Sequence, residues 1–180
     1  MKSLRFTLSV LLLSFTTAAF AQSATAAPQS DAQKFFAKLK TLAGSWEGQA
    51  TMSPSSHESM SARPMHAVLR VTSMGNAIMH EMKGDGPEDP ITMIYLDGDH
   101  LYLTHYCDAG NRPRMAGKIS PDGNTVEFDV VDVSGSTKQG HMQRAVFRII
   151  DANHHTEDWT YSMPNGKPEE HGHLDLQRSK

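Results

Sequence analysis

Cysteine is nearly absent. Cys107 is the only one in 180 residues, so the chain cannot close an intramolecular disulfide. A domain without such staples must be held by its core, which favours a closed sheet over a disulfide mini-fold. Runs of positive charge are missing as well: 17 basic residues stand against 20 acidic ones, scattered along the chain. That balance argues against a nucleic-acid partner and against electrostatic adhesion to a membrane. The apolar run from Phe6 to Phe15, interrupted by Thr7, Ser9 and Ser14, is too short for a membrane anchor, so no stable membrane insertion is expected. There is no Gly-x-Ser-x-Gly elbow, phosphate loop, Cys-x-x-Cys pair or His-Glu-x-x-His helix. No residue is therefore assigned as catalytic, and no cofactor is expected.

What the chain does have begins with an address. Lys2 and Arg5 precede the apolar run, and Ala19-Phe20-Ala21 places small residues at the −3 and −1 positions of a cleavage site. The sequence thus predicts a signal peptide over residues 1–21 and a periplasmic or secreted protein. A flexible leader over 22–30 precedes one domain over 31–180. Losing Lys2 and Arg5 takes the net charge from −3 to −5. The remaining length suffices for one real core.

One helix is predicted, Asp31 to Leu42, capped by Asp31 and apolar along Phe35, Phe36, Leu39 and Leu42. After Gly44 the period becomes two. Turn signals at 74–76, 97–99, 121–124, 151–153 and 164–167 separate the strands. These are Trp46–Met52, Met65–Ser73, Ala77–Lys83, Pro90–Leu96, His100–Cys107, Arg112–Ile119, Thr125–Asp132, His141–Ile150, His154–Ser162 and Gly172–Arg178. A meander of about eight to ten strands removes its edges by closing, so the fold class is an all-β, antiparallel up-and-down barrel with a short N-terminal helix. Leu69, Leu101, Leu103, Val126, Ala145, Ile149, Leu174 and Leu176 define the inward face, opposite polar neighbours such as Arg70, Glu127, Arg144 and Asp175. The segments Thr51–Pro64 and Gly84–Pro90 read as loops at a barrel mouth.

The heptapeptide Leu42-Ala43-Gly44-Ser45-Trp46-Glu47-Gly48 resembles the Gly-x-Trp opening of lipocalins and other calycins. The resemblance implies that Trp46 seals the closed end of the barrel. It also implies that an Arg of the last strand, here Arg178, lies across the indole, a favourable stacking contact. The stretch Tyr95 to Cys107, with Thr104-His105-Tyr106-Cys107, and the turn Asn111-Arg112-Pro113-Arg114-Met115 are similar to a narrower bacterial family of exported lipocalin-like domains. That likeness runs from Phe35 to the end and implies a fold, not a reaction.

The candidate ligand-binding residues are Tyr95, His105, Cys107, Phe128, Phe147, Glu157 and Trp159, all read as facing the lumen. Asn111 and Arg114 are candidates at the mouth. His105 and Cys107 share a face, which suits ligand contacts, half of a soft metal site or a nucleophile pair; it equally suits a core histidine beside an inert thiol. Glu157 is placed opposite His105. The ten histidines and the ten methionines that follow the signal invite a metal reading, but His–Met neighbours on a strand point to opposite faces. No metal ligands are assigned. The sequence leads to a monomeric or homodimeric barrel holding a small apolar or amphipathic molecule. The alternatives are a haem or transition-metal binding barrel and a ligand-free accessory protein of the cell envelope.

Overall fold

The computed structural model describes residues 28–54 and 62–180. The predicted signal peptide over 1–21 and leader residues 22–27 lie outside the described residues, as do residues 55–61. The expected loop Thr51–Pro64 is shorter than read, because β1 runs to Pro54 and β2 starts at Arg63.

Helix α1 spans Asp31–Lys40. Its cap is Ser30, not the expected Asp31: Ser30 accepts from the Gln33 amide while the Gln33 side chain accepts from the Ser30 amide. This reciprocal capping box leaves Asp31 free to pair with Lys34 at 2.9 Å. Ala32, Phe35, Phe36 and Leu39 are buried, and Lys38 reaches the Gly123 carbonyl at 2.9 Å and Asn124 Oδ1 at 2.6 Å. Helix α1 is therefore fastened across one end of the sheet.

The sheet has ten antiparallel strands, β1 Gly44–Pro54, β2 Arg63–Thr72, β3 Ala77–Lys83, β4 Ile91–Asp97, β5 His100–Tyr106, β6 Arg112–Ile119, β7 Thr125–Ser134, β8 His141–Asp151, β9 His154–Ser162 and β10 Glu170–Arg178. Each strand pairs with its neighbours in sequence, and β1 pairs with β10, from Trp46 opposite Arg178 to Pro54 opposite Glu170. The barrel is closed. Among the described residues, no helix is long and apolar enough to cross a membrane.

The end beneath α1 is stoppered. Trp46, only 1% exposed, donates from Nε1 to the Leu42 carbonyl at 2.8 Å. The Arg178 guanidinium carbon lies 4.4 Å from the centre of its ring. Arg178 also donates to the Ala43 and Thr41 carbonyls just past the end of α1, both at 2.9 Å, and to the Ala152 carbonyl in the β8–β9 turn at 3.0 Å. Gly44 makes room for it: a Cβ there would stand 2.7 Å from Arg178 Nη1, on a backbone with φ of +140°. Above this stopper Leu69, Ile78, Ile94, Leu101, Leu103, Val126, Phe128, Phe147 and Leu176 fill the lumen.

Candidate functional site

The filling stops short of the other end. A pocket of about 580 Å³ opens there, inside the rim made by the β3–β4 and β5–β6 connections. Its walls are Ala50, Met52, Pro64, Met65, Met82, Met142 and Leu174, and its deeper residues include His105 and Trp159. Cys107, just past the end of β5, and Tyr161, on β9, stand nearer the mouth, each two positions further along the chain. Period two explains the depth order. Along β5, Leu101 and Leu103 are packed, His105 reaches the pocket and Cys107 follows; along β9 the sequence is His155, Glu157, Trp159, Tyr161.

His105 is 2% exposed, and its Nδ1 lies 2.9 Å from Thr92 Oγ1, itself fully buried. Burial first, and the nearby His80 second, lower its pKa from 6.5 to about 4. The ring is thus neutral at ordinary pH. With Nδ1 engaged by Thr92, Nε2 is the nitrogen left for a bound molecule.

Directly below lies a buried polar cluster. Glu157 has zero exposure; its Oε1 is 3.1 Å from His80 Nε2 and 3.0 Å from His155 Nε2, and its Oε2 accepts from Trp159 Nε1 at 3.0 Å. Burial alone would raise the carboxyl pKa, but the contacts with His80 and His155 outweigh it and hold Glu157 below the usual carboxylate range. A buried carboxylate requires such company. The cluster also fixes the site's floor. Trp159 is held by Glu157, lies parallel to the His80 ring with centroids 6.3 Å apart, and sits 5.4 Å from the His105 ring. Among the described residues no three His, Cys, Asp or Glu side chains are arranged to hold a metal ion.

The structure brings His105, Cys107 and Trp159 to the pocket. Phe128 and Phe147 face inward, but they are packed edge to face at 6.0 Å within the filling and do not line the pocket. Glu157 also faces inward, with His80 and His155 as partners where His105 had been expected. Tyr95 is a correction: β4 buries Thr92 and Ile94, so Tyr95 is on the outer face, stacked on Tyr102 at 6.1 Å. Arg114 is another. It lies on the outer wall, paired with Asp132 at 2.5 Å and over the Tyr102 ring at 5.4 Å. Asn111 is at the open end but turned away from the pocket. It is fully buried and donates to the Ser136 and Gly140 carbonyls at 3.0 and 2.8 Å, tying two rim loops together.

The sequence assigns no site role to His80, His155, Thr92 or Tyr161; His80 enters there only as one of the rejected His–Met pairs. A signal existed for the histidines, since His80 is in phase with buried Ile78 and His155 with Trp159. Tyr161 borders Cys107; partial burial first and the thiol second push its pKa up to about 12.

No family model and no curated protein matches the chain. Solved structures do match in shape. Rv2717c from M. tuberculosis aligns with a TM-score of 0.60 at 12% identity, over 81% of this chain and 98% of that one. The S-type phycobiliprotein lyase CPES from Guillardia theta gives 0.56 at 11% identity, over 82% and 92% of the two chains. A DUF3598-family protein of unknown function from Nostoc punctiforme gives 0.56 at 10%, over 78% of this chain and 48% of its own. The chain is a closed ten-stranded antiparallel barrel that shares their shape. At these identities the likeness establishes the fold alone.

Proposed function

We propose that the protein is an exported calycin-like barrel that holds a small amphipathic molecule in the pocket above Trp159. The observation that carries the proposal is the pocket itself. Its volume of about 580 Å³ falls within the range of about 300–1,000 Å³ usual for small-molecule sites. Its wall is apolar and rich in methionine, a side chain that adapts to varied shapes. Its floor offers one neutral imidazole as an orienting polar group. Fold likeness to a lyase supports a shared shape and transfers no activity.

An environment-sensitive neutral dye, N-phenyl-1-naphthylamine, should brighten and shift to the blue with the wild-type protein. Met142→Glu, which sets an unpaired carboxylate in the wall, should abolish that signal. Arg148→Glu, at an exposed position of β8, should leave it intact. If the dye ignores the wild type, the carrier reading fails and an accessory role in the envelope becomes the better one.

A second reading rests on His105. A neutral imidazole with Nδ1 engaged and Nε2 open is the state that ligates haem iron or another transition metal. An absorption spectrum and a metal analysis of the purified protein decide between the two.

In the same reading the chain acts in the periplasm or outside the cell, as a monomer or homodimer, after loss of residues 1–21. The Ala19-x-Ala21 pair supports that compartment. Intact mass of the envelope fraction should give a chain starting at Gln22, and a retained signal peptide would sink the claim.

A further inference from the structure

We infer that the pocket selects a cationic or uncharged amphiphile and rejects an anionic one. This inference rests on the carrier reading above and adds the charge class of the ligand. Four carboxylates, Asp85, Glu88, Asp108 and Glu170, line the mouth, and Arg63 is the one Lys or Arg among the lining residues. All five residues are exposed, and none of the four carboxylates makes an ion pair among the described residues. The rim therefore presents a negative field to anything that enters.

The interior does not compensate. A buried anion needs a cationic side chain or several N–H donors around it. No Lys or Arg lines the pocket below the rim, and the buried imidazole at the floor is neutral. His80, one layer deeper, already faces the Glu157 carboxylate at 3.1 Å. The Tyr161 hydroxyl donates to the Gln139 carbonyl at 3.2 Å. The lumen offers an anionic headgroup no cation and at most one N–H, that of His105, where several would be needed. The open Nε2 of His105 instead suits a hydroxyl, an amine or an amide at the buried end of a ligand.

The geometry assigns each part of such a ligand its place. An apolar chain lies against Met65, Met82, Met142 and Leu174, and a cationic head remains at the rim beside Glu88 and Glu170. The head stays hydrated there, so it gains attraction without full desolvation.

The test is a matched series of equal chain length at pH 7.5: decyltrimethylammonium, decanol and decanoate, each below its critical micelle concentration, competing against bound N-phenyl-1-naphthylamine. At low salt the ammonium should displace the dye at roughly fivefold lower concentration than decanoate, the size expected of a few exposed charge contacts. The gap should narrow in 0.5 M NaCl as the rim is screened. The double variant Glu88→Gln, Glu170→Gln should narrow it as well, with decanol unaffected. If decanoate competes as well as the ammonium or better, the charge-class inference is overturned while the carrier reading stands. If the dye and all three amphiphiles fail to bind the folded wild type, both fall together.

Discussion

Arg178 donates to three main-chain carbonyls and covers an indole face, and no other side chain offers both a planar cation and three suitably spaced donors. Arg178→Lys should therefore lower stability by about 2 kcal/mol despite keeping the charge. Trp46→Ala should cost about 3–5 kcal/mol, the usual effect of deleting a large buried aromatic ring. Urea unfolding followed by circular dichroism measures both; midpoints equal to wild type would refute the stopper. This pair was legible through the resemblance of the Gly-x-Trp opening to that of lipocalins, which implies the stack, with Arg178 in phase with Leu174 and Leu176. Tyr95 was not. The segment Ile91-Thr92-Met93-Ile94-Tyr95-Leu96 is apolar on both faces except for Thr92, and that one polar residue is the one buried, against His105. Period two fixes a phase only where one face is wet. The partners of Glu157 were hidden for a different reason. His80 belongs to β3, which is not a neighbour of β9 in the sheet, so the contact is made across the lumen. No spacing along the chain encodes it.

The strands were largely readable as elements, since turn residues bracket them and hairpin connections leave few topologies open. What was not readable is irregularity within a strand. Counting back by twos from inward Ala145 would send Gln143 into the lumen. The β8–β9 register shifts between Met142 and Arg144, so Met142 lines the pocket instead, and Gln143 bonds Glu169 at 2.5 Å. A second irregularity between Arg114 and Met115 leaves Val131 without a partner on β6 and 54% exposed. Such an extra residue inserts without a sequence mark, yet it decides which side chain meets a ligand. The helix shows the converse case. Ser30 and Asp31 are both good caps, and Gln33 three residues after Ser30 decides between them through a pattern present in the sequence.

As a whole the molecule is a barrel stoppered at one end by α1, Trp46 and Arg178, with a pocket open at the other and a polar cluster between the two. That division makes its stability depend on acidity. His105 is held neutral to about pH 4 in the folded state, against an ordinary value of 6.5. Between those values the unfolded chain takes up a proton that the folded chain refuses, so acid favours unfolding. The contribution is fully present above about pH 6.5, declines as the pH falls towards 4, and amounts to about 3 kcal/mol across that window. Glu157, held below the usual carboxylate range, acts in the same direction, and its share is lost as the pH falls below 4.5. Urea midpoints of the wild type should therefore hold steady from pH 8 to 7 and fall steeply from 6.5 to 4. His105→Asn keeps a polar group near Thr92 but cannot titrate. It should start lower at pH 7.5, where wild-type His105 is neutral and well packed, and lose less on the way to pH 4.5. Parallel pH profiles for the two proteins would mean that His105 accepts its proton inside the fold. Below about pH 6.5 the floor of the pocket would then carry positive charge and would attract an anion at that acidity.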